Sequence, residues 1–146
     1  CYNMLTRNIE ASVIPVCERL GVGQVVFSPL AQGVLTGKYA PGKPLPEGSR
    51  AADSRVNMFM MGRSLMSDET LMKVERLKAI AQDEGLTLGQ MALAWCLRET
   101  NVASVIIGAT KPQQIEENVT AAGLKLSSEA LAKIETILAT PVGARA

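Results

Sequence analysis

The chain has 146 residues and a net charge of +1, enough length for one modest domain with a real core and no bias toward a nucleic-acid or strongly acidic partner. No apolar run reaches the ~18 residues a membrane span needs, so no membrane insertion is expected. Histidine is absent, which removes the commonest general acid–base group and the commonest zinc ligand together, and the three cysteines (Cys1, Cys17, Cys96) have no paired spacing and read as thiols of a reducing, cytoplasmic compartment.

In chain order, residues 1–5 (CYNML) read as the tail of a strand. Apolar residues then recur at helical spacing as Ile9, Val13, Val16, Cys17 and Leu20. Pro15 fits only a first turn, so the regular part starts near Ser12 as N-cap and stops at Gly21 or Gly23. Residues 22–27 are rich in β-branched side chains and suit a strand buried on both faces. Ser28-Pro29 halts that strand, because proline has no N–H to give. The stretch after it carries Gly33, Gly37 and Lys38. Set at the carboxyl end of a buried strand, it offers backbone N–H groups, a hydroxyl and a cation, the groups an anionic ligand needs. A plain surface turn is the other reading, and the residues alone leave both open.

Residues 40–66 hold Pro41, Gly42, Pro44, Pro46 and Gly48 early and Met58, Phe59, Met60 and Met61 late, without a clear period. A loop of that length is usually functional or mobile. Its methionines suit either a substrate mouth or loose packing on the neighbouring helix. From residue 68 to 84 the pattern is helical, with Leu71, Val74, Leu77 and Ala81 on one face, Asp68 and Glu69 at the positive end of the dipole, and Gly85 as the stop. Thr87 to Gln90 reads as a capping box opening a largely buried helix, in which Trp95 is a core anchor. Residues 102–107 form a second buried strand, halted by Gly108. Thr110 and Lys111 stand just ahead of Pro112, which takes the first position of a helix that buries Ile115, Val119 and Ala122. Ser127 caps a last helix carrying Leu131, Ile134 and Leu138, ended by Pro141, and the residues to Ala146 are expected to fray. Strands separated by helices imply a parallel sheet with right-handed crossovers.

Two of these stretches carry a family resemblance. FSPLAQGVLTGKY (residues 27–39) closely resembles the SPL-x-x-G-x-L-T-G-K-Y segment after the seventh barrel strand of aldo-keto reductases. The likeness is closest to the branch of bacterial reductases and voltage-gated potassium channel β-subunits. GATKPQQIEEN (residues 108–118) is similar to the family's eighth-strand loop and following helix, where the adenosine end of the dinucleotide sits. The resemblance implies an α/β fold: the C-terminal portion, about strands six to eight and their helices, of a (β/α)8 TIM barrel of ~250 residues or more. It implies residues 1–146 as one such part, with the cofactor and substrate loop at about 40–66.

The same resemblance implies the cofactor NADPH/NADP+ and a set of contacts. Tyr2 would lay its ring on the nicotinamide (a core aromatic is the alternative), with Phe27 near the nicotinamide ribose. Ser28, Pro29, Leu30, Gln32 and Gly33 would line the pyrophosphate, and Lys38 and Arg50 would reach over it. Gly108, Thr110, Gln114, Glu117 and Asn118 would hold the adenosine, with Thr110 and Lys111 at the 2′-phosphate. Gln114 stands where many members have arginine, the stronger phosphate partner, which leaves the preference over NADH open. The family's catalytic aspartate, tyrosine, lysine and histidine lie on earlier strands, and neither Tyr2 nor Tyr39 matches the catalytic tyrosine. No catalytic residue is therefore assigned here. The expectation is the cofactor-binding part of an NADPH-dependent reductase of aldehydes and ketones, an oxidoreductase partnered by the complementary N-terminal half of the barrel. Alternatives are an NADPH-holding, redox-sensing β-subunit with a potassium channel partner, or a self-associating half-barrel, a homo-oligomer without catalysis.

Overall fold

A computed structural model describes residues 1–61 and 65–139. The elements are α1 (Val13–Arg19), β1 (Gln24–Phe27), a 3-10 segment (Ala31–Thr36), α2 (Met58–Met61), α3 (Asp68–Asp83), α4 (Leu88–Cys96), β2 (Val102–Ile106), α5 (Pro112–Val119) and α6 (Ser128–Ala139). The described residues gather into two units: 1–31 with 89–126, and 32–61 and 65–88 with 127–139.

In the first unit β1 and β2 pair in parallel, with Val26 opposite Val105 and Phe27 opposite Ile106. β1 is shorter than the apolar run because Val22 N–H is spent on Cys17 O at 2.8 Å, closing the end of α1. Val26 and Val102 are buried, but Val25, Phe27 and Ile106 are at least half exposed. The expectation of strands buried on both faces is thus corrected: an apolar run reports what a strand can bury, not what covers it. Residues 1–6 also depart from the strand expected there. Asn3 Oδ1 accepts Leu5 N–H at 2.9 Å, and Asn3 and Thr6 bridge antiparallel, so the chain reverses after giving β1 one backbone bond, Tyr2 N–H to Phe27 O. α1 has the expected bounds, with Ser12 at its N-cap and Gly21 closing it at φ +67°, although the Ser12 side chain makes no cap hydrogen bond and only Ile14 is buried. α4 is buried from Met91 to Cys96, as its composition requires. α5 begins at Pro112 but buries nothing; Ile115 and Val119 are exposed, and Ala121 rather than Ala122 is buried.

In the second unit α3 packs on α6. Leu71, Val74, Leu77, Ile80 and Ala81 form the buried face of α3, and Ser67 Oγ caps it by accepting Thr70 N–H at 3.2 Å. Ser127 Oγ accepts Ala130 N–H at 3.0 Å and donates to Glu84 Oε1 at 2.7 Å, joining the start of α6 to the end of α3. The buried residues of α6 are Ala130, Ile134 and Ile137, with Leu131 and Leu138 at the margin, so the expected face is rotated by about one residue. The long loop is tied inward at Tyr39, whose buried hydroxyl accepts Ala51 N–H. Met60 is buried while Met58 is exposed, so the methionines do not act as one surface. The Phe59 and Met61 side chains, residues 62–64, Pro141 and the C-terminal stretch lie outside the described residues. No helix among the described residues is long and apolar enough to cross a membrane.

Candidate functional site

The expected site residues divide between the two units. In the first, Phe27 closes β1 with half its surface exposed. Ser28 follows at φ +57° and Ala31 at φ +47°. Ser28 also precedes Pro29, whose ring crowds the backbone before it, so this serine holds a strained conformation. Its carbonyl accepts two donors: Asn3 Nδ2 at 2.9 Å and Ala31 N–H at 3.0 Å. Pro29 is buried and Leu30 partly so.

Tyr2 does not present its ring to a ligand. It is 0 % exposed, lies 5.3 Å from the Trp95 ring, donates its hydroxyl to Glu10 Oε1 at 2.7 Å and accepts from Arg98 at 2.9 Å. Burial and then the Glu10 carboxylate push its phenol above the ordinary range. Of the two readings open for Tyr2, the core aromatic is the one found. The Arg98 guanidinium lies 3.6 Å from the Trp95 ring centroid, with Arg7 on the same ring at 5.2 Å. Burial would raise the Glu10 carboxyl, but hydrogen bonds from Arg7, Tyr2 and Arg98 outweigh it and hold the group below its usual value. This cluster is structural, and it packs the first segment against α4.

At the far end of β2 the corner 108–114 is exposed. Thr110 N–H donates to Gln114 Oε1 at 2.8 Å, with the Thr110 hydroxyl 3.4 Å from the same oxygen. Lys111 occupies the N-cap of α5 without a side-chain cap, Pro112 follows at the first turn, and Glu117 is exposed with Asn118 half-buried. A strand end, a glycine and a helix start follow in succession with Lys111 exposed, but Thr110 N–H and Gln114 N–H are engaged within the corner and Pro112 has none.

In the second unit the backbone turns left-handed at Gln32 (φ +60°) and Gly33 (φ +94°). Two cations meet at this turn. The Arg50 guanidinium donates to Gln32 Oε1, and Lys38 folds back so that its Cε and Nζ lie 3.0 Å from where a Gly33 Cβ would stand. Both residues are exposed, and Lys38 also lies over the Tyr39 ring at 5.4 Å. The sequence spacing of Lys38 and Arg50 gives no hint of this meeting, because it depends on the path of the long loop. A separate cavity of ≈ 240 Å³ lies at the root of that loop, lined by Tyr39, Lys43, Pro44, Met66, Asp68 and Leu71, and it includes neither Lys38 nor Arg50. Among the described residues no group of three His, Cys, Asp or Glu side chains could hold a metal. The residue that sequence reasoning missed is Asn3. Its signal was a lone polar side chain in an apolar run, and the structure buries it.

Comparison with known proteins supplies the frame. The sequence profile described as the Aldo/keto reductase family matches residues 1–139. A protein named as a probable voltage-gated potassium channel subunit beta from Oryza sativa subsp. japonica is 45% identical over 141 residues, covering 94% of this chain and 42% of the relative. The L-glyceraldehyde 3-phosphate reductase of Escherichia coli K12 is 37% identical over 140 residues, covering 94% of this chain and 40% of the relative. The solved glycerol dehydrogenase of Gluconobacter oxydans superposes with a TM-score of 0.78 at 25% identity, over 97% of this chain and 41% of that one. The chain thus spans about two fifths of the length of these relatives.

Proposed function

The chain belongs to the aldo/keto reductase family, whose fold is the (β/α)8 barrel, and from that premise we propose that it is the C-terminal, NADP(H)-holding part of a carbonyl reductase. The observation that carries this is the meeting of Lys38 and Arg50 on the Gln32–Gly33 turn. Two exposed cations on one left-handed turn fit a pyrophosphate, and each now rests on a weak neutral partner, Arg50 on Gln32 Oε1 and Lys38 on the Tyr39 ring. When bound, the dinucleotide supplies a hydride for an aldehyde or ketone substrate.

The chain's own residues bind and orient. Lys38 and Arg50 neutralise the pyrophosphate, with Ser28, Pro29, Leu30, Gln32 and Gly33 as the backbone around it. Phe27, half exposed at the strand end, offers the aromatic surface that Tyr2, buried against Trp95, does not. Gly108, Thr110, Gln114, Glu117 and Asn118 take the adenosine. Gln114 Oε1 already accepts Thr110 N–H, and the exposed Lys111 beside it is the cation suited to a 2′-phosphate. In this reading residues 1–146 alone reduce no carbonyl compound, because they bear no proton donor matched to the reaction.

A second reading is favoured by the names of the relatives at 45% and 44% identity, each given as a probable voltage-gated potassium channel subunit beta: the same cradle would hold NADP(H) in a channel-regulating protein. Titration of NADPH and NADH into the protein expressed from its own gene tests both readings, and aldehyde turnover separates them. Saturable NADPH binding with turnover supports the reductase. Binding without turnover, in a protein that also carries the N-terminal half of the barrel, supports the regulator, and no binding of either nucleotide sinks both.

A further inference from the structure

One short segment holds two consecutive carbonyls at the exit of β1. Tyr2 N–H donates to Phe27 O at 3.2 Å, and Asn3 Nδ2 donates to Ser28 O at 2.9 Å. Asn3 is 1 % exposed, and its Oδ1 accepts Leu5 N–H at 2.9 Å, so its amide is engaged at both ends. A buried amide in an apolar segment is costly unless both ends are used, and here one end serves the local turn while the other reaches 25 residues along the chain. What it reaches is the strained residue. Ser28 combines a left-handed φ of +57° with a following proline, and such a backbone persists only where its surroundings fix it.

We propose that Asn3 is a positioning residue for the cofactor. Its Nδ2–H fixes the Ser28–Pro29 peptide, so that the residues just after β1, Ser28 to Leu30, hold their backbone path before any ligand arrives. Asn3 itself touches no ligand. Pre-setting the loop removes an ordering cost from binding, so the consequence is read in affinity. The inference rests on the NADP(H) reading above.

The test is Asn3→Asp, nearly the same shape. At alkaline pH the carboxylate still accepts Leu5 N–H but has no proton for Ser28 O. On acidification the buried carboxyl, its pKa raised by burial beside a carbonyl, takes a proton and donates again. NADPH is titrated by fluorescence into wild-type and variant protein, expressed from its own gene, between pH 8 and 5.5, with a thermal melt at each pH. The expected result is roughly tenfold weaker binding by the variant at pH 8 and convergence on wild type at pH 5.5. Asn3→Leu, with no donor at any pH, is expected to bind weakly throughout. A lowered melting temperature with wild-type affinity at every pH, in either variant, would overturn the inference and leave the cofactor reading standing. Recovery of Asn3→Leu at low pH would also overturn it. Wild-type protein that binds no NADP(H) overturns both.

Discussion

Lys38 folds back over Gly33: a Cβ built on that glycine would lie 3.0 Å from both Cε and Nζ of the lysine. The lysine tip could swing away at little cost, but the backbone could not adapt as easily, since Gly33 sits at φ +94°. Gly33→Ala is therefore expected to destabilise the protein by about 1–3 kcal/mol, chiefly through the left-handed backbone. It is also expected to displace Lys38 and weaken NADPH binding. Denaturant unfolding and nucleotide titration check the two parts separately. Unchanged stability would mean that the turn at Gln32–Gly33 is not left-handed in solution.

Glu10 sets an acid limit. Its carboxyl is held below its ordinary value of 4.5 by Arg7, Tyr2 and Arg98 against the opposing effect of burial. A depressed folded-state pKa contributes stability above the unfolded value and loses it as pH falls through the folded one. Thermal melts of the wild type are expected to fall as the pH drops below about 4.5. Glu10→Gln should melt lower at pH 7 and lose less on acidification. Parallel curves for the two proteins would remove Glu10 from that role.

Cys96 is expected to be the silent thiol. Burial pushes it up to about 12, with the Arg98 charge opposing, and its Sγ lies 3.7 Å from Tyr2 O in the first unit's core. Cys1 and Cys17 are only partly buried. Thiol labelling at pH 8 followed by mass spectrometry should modify Cys1 and Cys17 first and Cys96 only on unfolding. Early labelling of Cys96 would mean that α4 is open in the native state.

Much of the helical order was legible in the sequence. The spacing of Leu71, Val74, Leu77 and Ala81, the cap position at Ser12 and the stops at Gly21 and Gly85 are local signals, and local chemistry reads them. The exposed faces of Val25, Phe27, Ile106 and Ile115 were not legible, because hydrophobicity gives what a residue tolerates, while cover is a property of its neighbours. Tyr2 illustrates the same limit: an aromatic after a strand suits a ligand face or a core, and only the positions of Trp95, Glu10 and Arg98 decide between them. The loop after β1 was recognisable from its residues as a family segment. The strained backbone at Ser28 and Gln32, and the buried Asn3 that holds Ser28, depend on contacts 18 to 25 residues apart along the chain, which no pattern in the sequence displays.

The central claim is that Lys38 and Arg50 form a phosphate clamp, and the most direct measurement is NADPH titration by fluorescence of the wild type against Lys38→Ala and Arg50→Ala, each at two salt concentrations. Charge-assisted hydrogen bonds contribute about 1.5–3 kcal/mol each, so either substitution is predicted to weaken binding by about one to two decades. The salt dependence should flatten as a charge is removed, since less attraction remains to be screened. Two variants that bind like the wild type, with the same salt dependence, would make both residues solvated surface cations and contradict the account.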